Sequence, residues 1–247
     1  MLTEERFAKI ISLVEECGSV TVQQLMQRLK TSESTIRRDL VTLDRNGKLI
    51  KVHGGAVSKN QVYSTIDEDV EKRKLLNIDD KLRIAKYAAE LIRPDDFVYL
   101  DAGTTTELMI DYIQTDAAVF VTNAVSHARH LAERGMTVYI LGGEFKTVTE
   151  AIVGEEAIVS LEKYNFTKGF FGTNGISMKK GFSTPEVKEA MVKRKSMENT
   201  KECFVLTDNR KFSQQSSITF ASFESAAVIT TGEVPEQFKK CKNIIRV

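Results

Sequence analysis

The sequence of 247 residues predicts an α/β protein, in which a small N-terminal helical segment precedes a larger α/β domain with a mainly parallel sheet. Two observations support this prediction. Apolar residues recur at helical spacing three times within residues 1–45. From residue 97 onward, short apolar or β-branched runs alternate with helical stretches. Such alternation is typical of a parallel sheet that helices cover on both faces.

The composition is that of an ordinary globular protein, with 42% hydrophobic and 28% charged residues. Residues 1–7 are too acidic for a signal peptide, and the apolar runs are too short to span a bilayer. Cys17, Cys203 and Cys241 are widely spaced and odd in number, which indicates core thiols in a reducing compartment. We therefore expect a cytoplasmic protein with no membrane association, metal or cofactor.

Positive charge is concentrated near the N-terminus, although the net charge of the whole chain is only +1. Residues 28–53 carry seven Lys or Arg against three Asp or Glu. A local basic stripe on a near-neutral chain is typical of a segment that contacts nucleic acid. A solvated helix face would give the same count, so charge alone leaves both interpretations open.

Residues 1–57 predict three short helices. Thr3, Thr21 and Ser32 are the expected N-caps, and Gly18 ends the first helix. The inward faces have helical spacing and comprise Phe7, Ile10, Ile11 and Val14, then Val22, Leu25, Met26 and Leu29, then Ile36, Leu40 and Leu43. A tight turn between the second and third helices is the helix-turn-helix layout.

The outer face of the third helix and the strand that follows it favour DNA binding. Hydroxyls and arginines at the start of a helix suit the major groove, where Arg pairs with guanine edges. An alternating strand over residues 48–53, followed by Gly54 and Gly55, predicts a β-wing that makes the segment a winged helix-turn-helix. The candidate DNA-contacting residues are Ser34, Thr35, Arg37, Arg38, Arg45, Lys48, Lys51 and His53. A three-helix protein-binding module is the alternative.

Residues 58–78 are polar or densely charged and predict a linker, which leaves residues 79–247 as the α/β domain. A helix over 79–92 is expected first, with Pro94 beyond its end. The predicted strands are 97–101, 119–122, 138–141, 169–172, 204–207 and 227–229. The predicted helices that alternate with them are 105–113, 124–134, 154–162 and 185–199.

Three polar loops follow predicted strands, at the sheet edge where α/β proteins bind ligands. Residues 101–106 read Asp-Ala-Gly-Thr-Thr-Thr, and their amides and hydroxyls would suit a phosphate, although a simple helix cap would look the same. Residues 172–175 read Gly-Thr-Asn-Gly, and the Ser-Thr pair before Pro185 is expected to cap the next helix. Residues 207–212 form a charged turn.

His127 and His130 are three residues apart on a predicted helix, a spacing that can place two metal ligands on one face. The sequence offers no nearby Cys, Asp or third His to complete a site. We therefore predict that both histidines lie on a solvated helix surface.

The run from Val20 to Asp39, with Leu43, Gly47 and residues 52–56, resembles the DNA-binding head of DeoR-family regulators. The three loops occur in the same order as in the effector domain of that family, which is itself similar to ribose-5-phosphate isomerase. The resemblance covers nearly the whole chain and is closest to the fructose-operon repressor branch.

This resemblance implies a repressor of a sugar-utilisation operon. Such a protein binds double-stranded operator DNA as a homodimer or homotetramer, and a phosphorylated sugar releases it. Fructose 1-phosphate is the first candidate effector. The implied effector site consists of Gly103, Thr104, Thr105 and Thr106 on the phosphate, Asp101, Asn123, Asn174, Glu186 and Lys188 on the sugar hydroxyls, and Asp208 and Lys211 at the far side.

A sugar-phosphate isomerase that carries a DNA-binding head is the rival hypothesis. Aldose–ketose isomerisation needs a base that moves a proton between adjacent carbons. The isomerase relatives have an acidic Gly-Ala-Asp loop where this sequence has Asn174, whose amide cannot accept that proton. Asp101, Glu186 and Glu189 are the remaining candidate bases, so catalysis is disfavoured but not excluded. We predict that the protein is not an enzyme.

Overall fold

The computed structural model describes residues 2–17, 19–52, 54–57 and 70–247. The chain divides into two compact units, Met1–Tyr63 and Ser64–Val247. The division falls inside the segment predicted as a linker, and the predicted boundaries at residues 57 and 78 stay predictions.

The first unit contains three helices and a small antiparallel sheet in the order β1-β3-β2. Its elements are α1 (Thr3–Cys17), β1 (Ser19–Thr21), α2 (Val22–Leu29), α3 (Glu33–Arg45), β2 (Ile50–Val52) and β3 (Gly55–Val57). β2 and β3 form the expected wing, and Gly54 provides the left-handed turn between them with φ of +82°. The predicted helix end at Gly18 and the predicted contact residue His53 lie outside the described residues.

Two of the three predicted caps differ from expectation. Thr21 caps α2 as predicted, because its hydroxyl accepts from Gln24 N at 3.1 Å while the Gln24 side chain accepts from Thr21 N at 2.9 Å. Ser32 precedes α3, but its hydroxyl makes no capping bond and instead contacts the hydroxyls of Ser34 and Thr35. Thr3 is already the first residue of α1.

The helices of the first unit enclose a buried core. Its members are Ile10, Val14, Val20, Val22, Leu25, Ile36, Leu40, Leu43, Leu49 and Ala56. An ion pair that the sequence did not suggest links α1 to α3 at the edge of this core. Arg6 Nε and Nη2 donate to the buried Asp39 carboxylate at 2.5 and 3.0 Å.

The second unit is built on a seven-stranded, wholly parallel sheet in the order β15-β14-β12-β9-β4-β5-β6. These strands are β4 (Phe97–Leu100), β5 (Val119–Thr122), β6 (Thr137–Ile140), β9 (Phe166–Gly172), β12 (Thr200–Leu206), β14 (Ala227–Thr230) and β15 (Ile244–Arg246). The helices are α4 (Val70–Leu75), α5 (Ile78–Glu90), α6 (Thr104–Ile110), α7 (Val125–Glu133), α8 (Glu155–Leu161) and α9 (Val187–Glu198). Two small antiparallel sheets pair β7 (Glu144–Lys146) with β8 (Ala151–Val153), and β10 (Gly175–Ser177) with β11 (Gly181–Thr184) and β13 (Ile218–Ala221).

Hydrophobic clusters cover both faces of the parallel sheet, as the fold-class prediction requires. Successive residues of a strand point to opposite faces, so Tyr99 and Phe171 belong to one cluster while Val98 and Phe170 belong to the other. All four side chains are fully buried. This arrangement confirms the predicted α/β fold.

Three details of the sequence prediction are wrong. The end of the segment predicted as a linker, residues 70–75, forms α4. Ser183 and Thr184 do not cap α9, because they belong to β11 and are buried there. His127 does not lie on a solvated surface, since it is buried 3.1 Å from the Thr106 hydroxyl. Burial lowers the pKa of His127 to about 3.

The sequence predicted neither a membrane-spanning helix nor a metal site. None of the described helices has the length and apolar character needed to cross a bilayer. The same residues contain no cluster of three or more His, Cys, Asp or Glu side chains suited to a metal ion. His130 instead pairs with Asp111 at 2.9 Å, and the thiols of Cys203 and Cys241 are free and half-buried.

The capping box of α2 generates a stability prediction. Thr21→Ala removes the hydroxyl that accepts from Gln24 N, and we expect it to lower the free energy of unfolding of the first unit by about 1 kcal/mol. Urea denaturation followed by circular dichroism measures this change. Gln23→Ala, an exposed change on the same helix, is the control and should stay within about 0.5 kcal/mol. Equal stability of both variants would show that the cap contributes nothing.

Candidate functional site

A pocket in the second unit lies where β4, β5, β9 and β12 end. Because these strands are parallel neighbours, their carboxyl ends meet at one edge of the sheet. The pocket is lined by Arg73, Leu76, Lys81, Asp101, Ala102, Gly103, Thr104, Thr105, Thr106, Asn123, Thr149, Ala151, Gly172, Thr173, Asn174, Glu189, Lys193, Leu206, Thr207, Asp208, Arg210 and Lys211. Charged and hydroxyl-bearing residues dominate this lining.

The loop between β4 and α6 forms one wall. Asn123, at the end of β5, accepts from Ala102 N at 2.9 Å and so fixes the loop. The Thr106 hydroxyl points back into the protein, 2.7 Å from the Asp101 carbonyl oxygen and 3.1 Å from His127 Nε2. Thr104 and Thr105 are half-buried, and their hydroxyls form no hydrogen bond with the described residues. Both residues line the pocket, so these two hydroxyls are available to a molecule bound there.

A buried ion pair forms the floor of the pocket. Lys193 Nζ, on α9, donates to Asp101 Oδ2, and Gly172 N donates to the same oxygen at 2.9 Å. The side chains are 7% and 1% exposed, so the pair is shielded from water. Burial raises the pKa of Asp101, and the Lys193 ammonium offsets only part of that effect. The pair ties β4 to α9 across the end of β9.

A second carboxylate on α9 is also fully engaged. Glu189 accepts from Lys146 at 3.0 Å, from Thr149 at 2.6 Å and from Thr184 at 3.3 Å. Burial opposes its ionisation, yet Lys193, Thr149 and Lys146 together lower the pKa of Glu189 below its ordinary value. The group is therefore an ionised acceptor at neutral pH.

The turn after β12 supplies the third carboxylate. Asp208 accepts from Arg210 N at 3.0 Å and from Arg210 Nε at 3.1 Å. Burial by itself would raise the pKa of Asp208. The contacts with Arg210 lower it, and the net effect is a decrease. When the side-chain amide of Asn77 is oriented with its oxygen towards Arg210, that oxygen accepts from Arg210 Nε and Nη2 at 2.6 Å. Asn77 thereby links the turn to the start of α5.

Two further cations enter the pocket from the segment predicted as a linker and from α5. Lys81 Nζ donates to the carbonyl oxygen of Arg73. Burial, together with the nearby charges of Arg73, Arg210 and Lys211, lowers the pKa of Lys81 to about 8 despite the opposing effect of Asp208. Arg73 Nε is buried and has no hydrogen-bond partner within the described part of the chain.

The structure brings together nine of the eleven predicted effector residues and separates two. The nine in the lining are Asp101, Gly103, Thr104, Thr105, Thr106, Asn123, Asn174, Asp208 and Lys211. Glu186 lies outside the pocket lining, because its carboxylate caps α9 by accepting from Lys188 N and Glu189 N at 3.0 Å. Lys188 lies outside it as well and pairs with Glu144.

Sequence reasoning missed several residues that line the pocket. Arg73 lay in the segment predicted as a linker, and Lys81 and Lys193 lay within predicted helices. Lys193 is seven residues after Glu186 and four after Glu189, so helical spacing from those carboxylates would have indicated it. The sequence gave no comparable indication for Arg73.

In the first unit, the predicted DNA-contacting residues form an exposed surface on α3 and the wing. The exposed ones are Ser34, Arg37, Arg38, Arg45, Lys48 and Lys51. Thr35 is half-buried, and Arg37 is held by Glu33 at 2.6 Å, one helical turn away. Arg38 forms no ion pair with the described residues. It is exposed on α3.

Models of known protein families match both units of the chain. A DeoR-like helix-turn-helix domain matches residues 6–62, and the DeoR C-terminal sensor domain matches residues 76–233, more than half of the chain. The chain belongs to the DeoR family. Its DNA-binding and sensor parts thus have the order that the motifs predicted.

Several DeoR-family relatives match over nearly the full chain. The HTH-type transcriptional regulator FruR of Bacillus subtilis strain 168, itself described as uncharacterized, is 42% identical over 94% of this chain and 92% of its own length. The lactose phosphotransferase system repressor of Staphylococcus aureus strain NCTC 8325 / PS 47 is 32% identical over 100% and 99%. The regulator IolR of B. subtilis strain 168 is 30% identical over 87% and 86%.

Among solved structures, ribose 5-phosphate isomerase A of Methanocaldococcus jannaschii is similar over 55% of each chain, with a TM-score of 0.41 and 16% identity. The sorbitol operon regulator SorC of Klebsiella pneumoniae has a TM-score of 0.37 and 10% identity, over 83% of this chain and 89% of its own. Likeness at this level bears on neither activity nor ligand.

The buried pair at the pocket floor generates a second stability prediction. Lys193→Met leaves the Asp101 carboxylate without its cation, and we expect a loss of about 3–5 kcal/mol in the free energy of unfolding. Thermal and urea unfolding at pH 7 measure the loss. Asp101→Asn combined with Lys193→Met should recover much of it, because no buried charge remains, and the exposed Lys179→Met is the control. A single variant as stable as the control would contradict this account of the pair.

Proposed function

We propose that the protein is a DNA-binding repressor of a sugar-utilisation operon that a phosphorylated sugar releases from its operator. The observation that carries the effector part is the charge of the pocket. Each of its three carboxylates is paired, whereas Arg73, Lys81 and Lys211 have no carboxylate partner among the described residues. An anion is the ligand that balances such a lining.

The rest of the lining fits a polyhydroxylated molecule. Thr104, Thr105, Thr173 and Asn174 are half-buried and supply hydroxyl and amide groups, while Glu189 supplies an ionised acceptor. A phosphate monoester of a sugar combines the dianion and the hydroxyls that these groups recognise. Among phosphorylated sugars, fructose 1-phosphate is our first candidate, because the loops of the second unit resemble those of the fructose-operon repressor branch.

The first unit supports operator binding. Arg38 is exposed on α3 beside Ser34, Lys51 is exposed on β2 of the wing, and Lys48 is exposed just before that strand. We propose that α3 enters the major groove with Arg38 on a base edge, while the wing lysines contact phosphates. Half-sites about 34 Å apart would require at least two subunits, so the acting form is a homodimer or homotetramer. Operator binding places the protein in the cytoplasm with the chromosome.

Regulation then follows from linkage between the two sites. If the sugar phosphate binds one arrangement of the subunits better than the other, its binding shifts the equilibrium towards the arrangement that fits the operator less well. Binding in place of catalysis suits the pocket, since Asp101 and Glu189 are held by Lys193 and by Lys146. The relatives FruR and the lactose phosphotransferase system repressor are regulators, in agreement with this choice.

The effector class is tested by thermal shift of the full-length protein with a panel of phosphorylated sugars and their free sugars. We expect one sugar phosphate to raise Tm and its free sugar to have no effect, because a ligand that binds only the folded state stabilises it. Thr105→Glu should abolish the shift by repelling the phosphate, while Thr137→Glu, an exposed change on β6, should preserve it. A panel without any shift would contradict the proposed ligand class.

The operator contact is tested by Arg38→Ala in fluorescence anisotropy with operator DNA. We expect a loss of about 1–3 kcal/mol in binding free energy if Arg38 pairs with a guanine edge, and unchanged binding of the sugar phosphate. Lys9→Ala, an exposed charge change on α1, is the control. Operator affinity that is equal in the Arg38 variant, the control and the wild type would rule out this contact.

A further inference from the structure

Strand β6 forms one edge of the parallel sheet, and no strand among the described residues pairs with its outer side. On its inner side, Leu141 N donates to the Thr122 carbonyl oxygen at the end of β5, at 3.0 Å. Successive residues of a strand direct their backbone groups to opposite sides, so the N–H and C=O groups of Val138 and Ile140 point away from the sheet. These four backbone groups are available to a further strand at this edge.

The side chains of β6 do not protect this edge. Natural sheets usually protect an exposed edge strand with a charge, a proline or a bulge. The opposite edge strand, β15, has such protection, because Arg246 on it is exposed and pairs with Glu233 at 3.7 Å. Strand β6 reads Thr-Val-Tyr-Ile without a charge, and Tyr139 and Ile140 are 51% and 45% exposed. An edge of this kind is suited to pairing with another strand.

Helix α7, which packs beside β6, has an apolar side that faces away from α6. His130 pairs at 2.9 Å with Asp111, the residue directly after α6, so the side of α7 that carries His130 faces α6. At about 100° per residue, Val125, Ala128 and Ala132 lie on the opposite side of the helix. Val125 and Ala132 are exposed, and Ala128 is half-buried.

Ile140 lies on the sheet face that α7 covers. It is in register with Thr122 of β5 and Leu100 of β4, and residues in register on neighbouring strands share a face. Leu100 belongs to the same buried cluster as Leu131 of α7. Ile140 therefore adds to the apolar side of that helix. The four residues that we name the edge surface are Val125, Ala128, Ala132 and Ile140.

The charges at this edge favour a second copy of the chain as the partner. A two-fold axis brings a surface against its own copy, so a charged surface would repel itself, whereas the edge surface carries no charge. Arg129 and Glu133, which border it, are paired with each other at 2.8 Å. Antiparallel packing of α7 against α7 of a second copy would place these ion pairs head to tail, with opposite charges as neighbours.

We propose that β6 pairs antiparallel with β6 of a second copy and joins the two seven-stranded sheets into one continuous sheet. The register follows from the outward backbone groups. Val138 of each copy exchanges two hydrogen bonds with Ile140 of the other, and Tyr139 lies on the two-fold axis. The two Tyr139 rings then form a cross-strand aromatic pair. This inference rests on the proposed function and deepens it, since it names the surface that joins two of the required subunits.

Light scattering with size-exclusion chromatography tests the interface on full-length wild type, Ile140→Lys and Met191→Lys. Met191 is the matched control, because it is 50% exposed on α9, away from the sheet edge. We expect Ile140→Lys to halve the molar mass at a concentration where wild type and Met191→Lys keep theirs, since the interface would otherwise bury an unpaired ammonium. Equal molar masses for the three proteins would overturn the interface.

Disulfide trapping tests the register and does not depend on the lysine variant. In the proposed pairing the two Tyr139 Cα atoms are about 4.5 Å apart, within disulfide reach, so Tyr139→Cys should form a covalent dimer on mild oxidation. Thr137, exposed on the same strand, would be about 13 Å from its equivalent, so Thr137→Cys should cross-link no more than wild type. Non-reducing electrophoresis measures the dimer, and Tyr139→Cys that cross-links no more than Thr137→Cys would overturn the register.

These experiments separate a failure of the interface from a failure of the proposed function. If wild type is an oligomer whose mass survives Ile140→Lys and whose Tyr139→Cys variant does not cross-link, the inference is wrong and the proposed function stands. If wild type is a monomer both alone and on operator DNA, the interface and the two-subunit form of the proposed function are both wrong.

Discussion

An excess of positive charge at the carboxyl edge of the parallel sheet is the constraint on which the site depends. Asp101, Glu189 and Asp208 each have a cationic partner within hydrogen-bond distance. Arg73 and Lys81 share the same lining without a carboxylate partner among the described residues. Burial lowers the pKa of Lys81, and the nearby charges of Arg73, Arg210 and Lys211 lower it further. In the proposed function, the phosphate of the effector balances this charge.

The parallel topology creates this edge, and the buried pair makes it rigid. Neighbouring parallel strands end at the same side of the sheet, so loops far apart in sequence converge there. The Asp101–Lys193 pair joins β4 to α9 across the end of β9, and Asn123 fixes the loop after β4 from β5. Helix α4, six residues long, brings Arg73 to the same lining.

Much of the fold, and most of the predicted pocket residues, could be read from local patterns. Helical spacing at Ile36 and Leu40 predicted the inner face of α3, and alternating apolar runs predicted the core strands of the sheet. The prediction failed where long-range contacts decide the outcome. Glu186 was assigned to the pocket because it lies in the right stretch of sequence, but its carboxylate is used to cap α9. His127 is polar and looked solvated, yet packing against Thr106 buries it. Arg73 belongs to a six-residue helix in a densely charged segment without clear helical periodicity, so the sequence did not indicate its place in the pocket.

In the proposed function, one protein couples a positively charged pocket for a phosphorylated sugar to an operator-binding unit. The most direct test is operator affinity of the full-length protein, measured by anisotropy with and without the sugar phosphate that raises its Tm, and the reciprocal affinity for that sugar phosphate with and without operator. Linkage requires the two ratios to be equal. The account predicts that the sugar phosphate weakens operator binding at least fivefold and that operator weakens sugar phosphate binding by the same factor. Operator affinity that stays unchanged or rises when the pocket is saturated would contradict it.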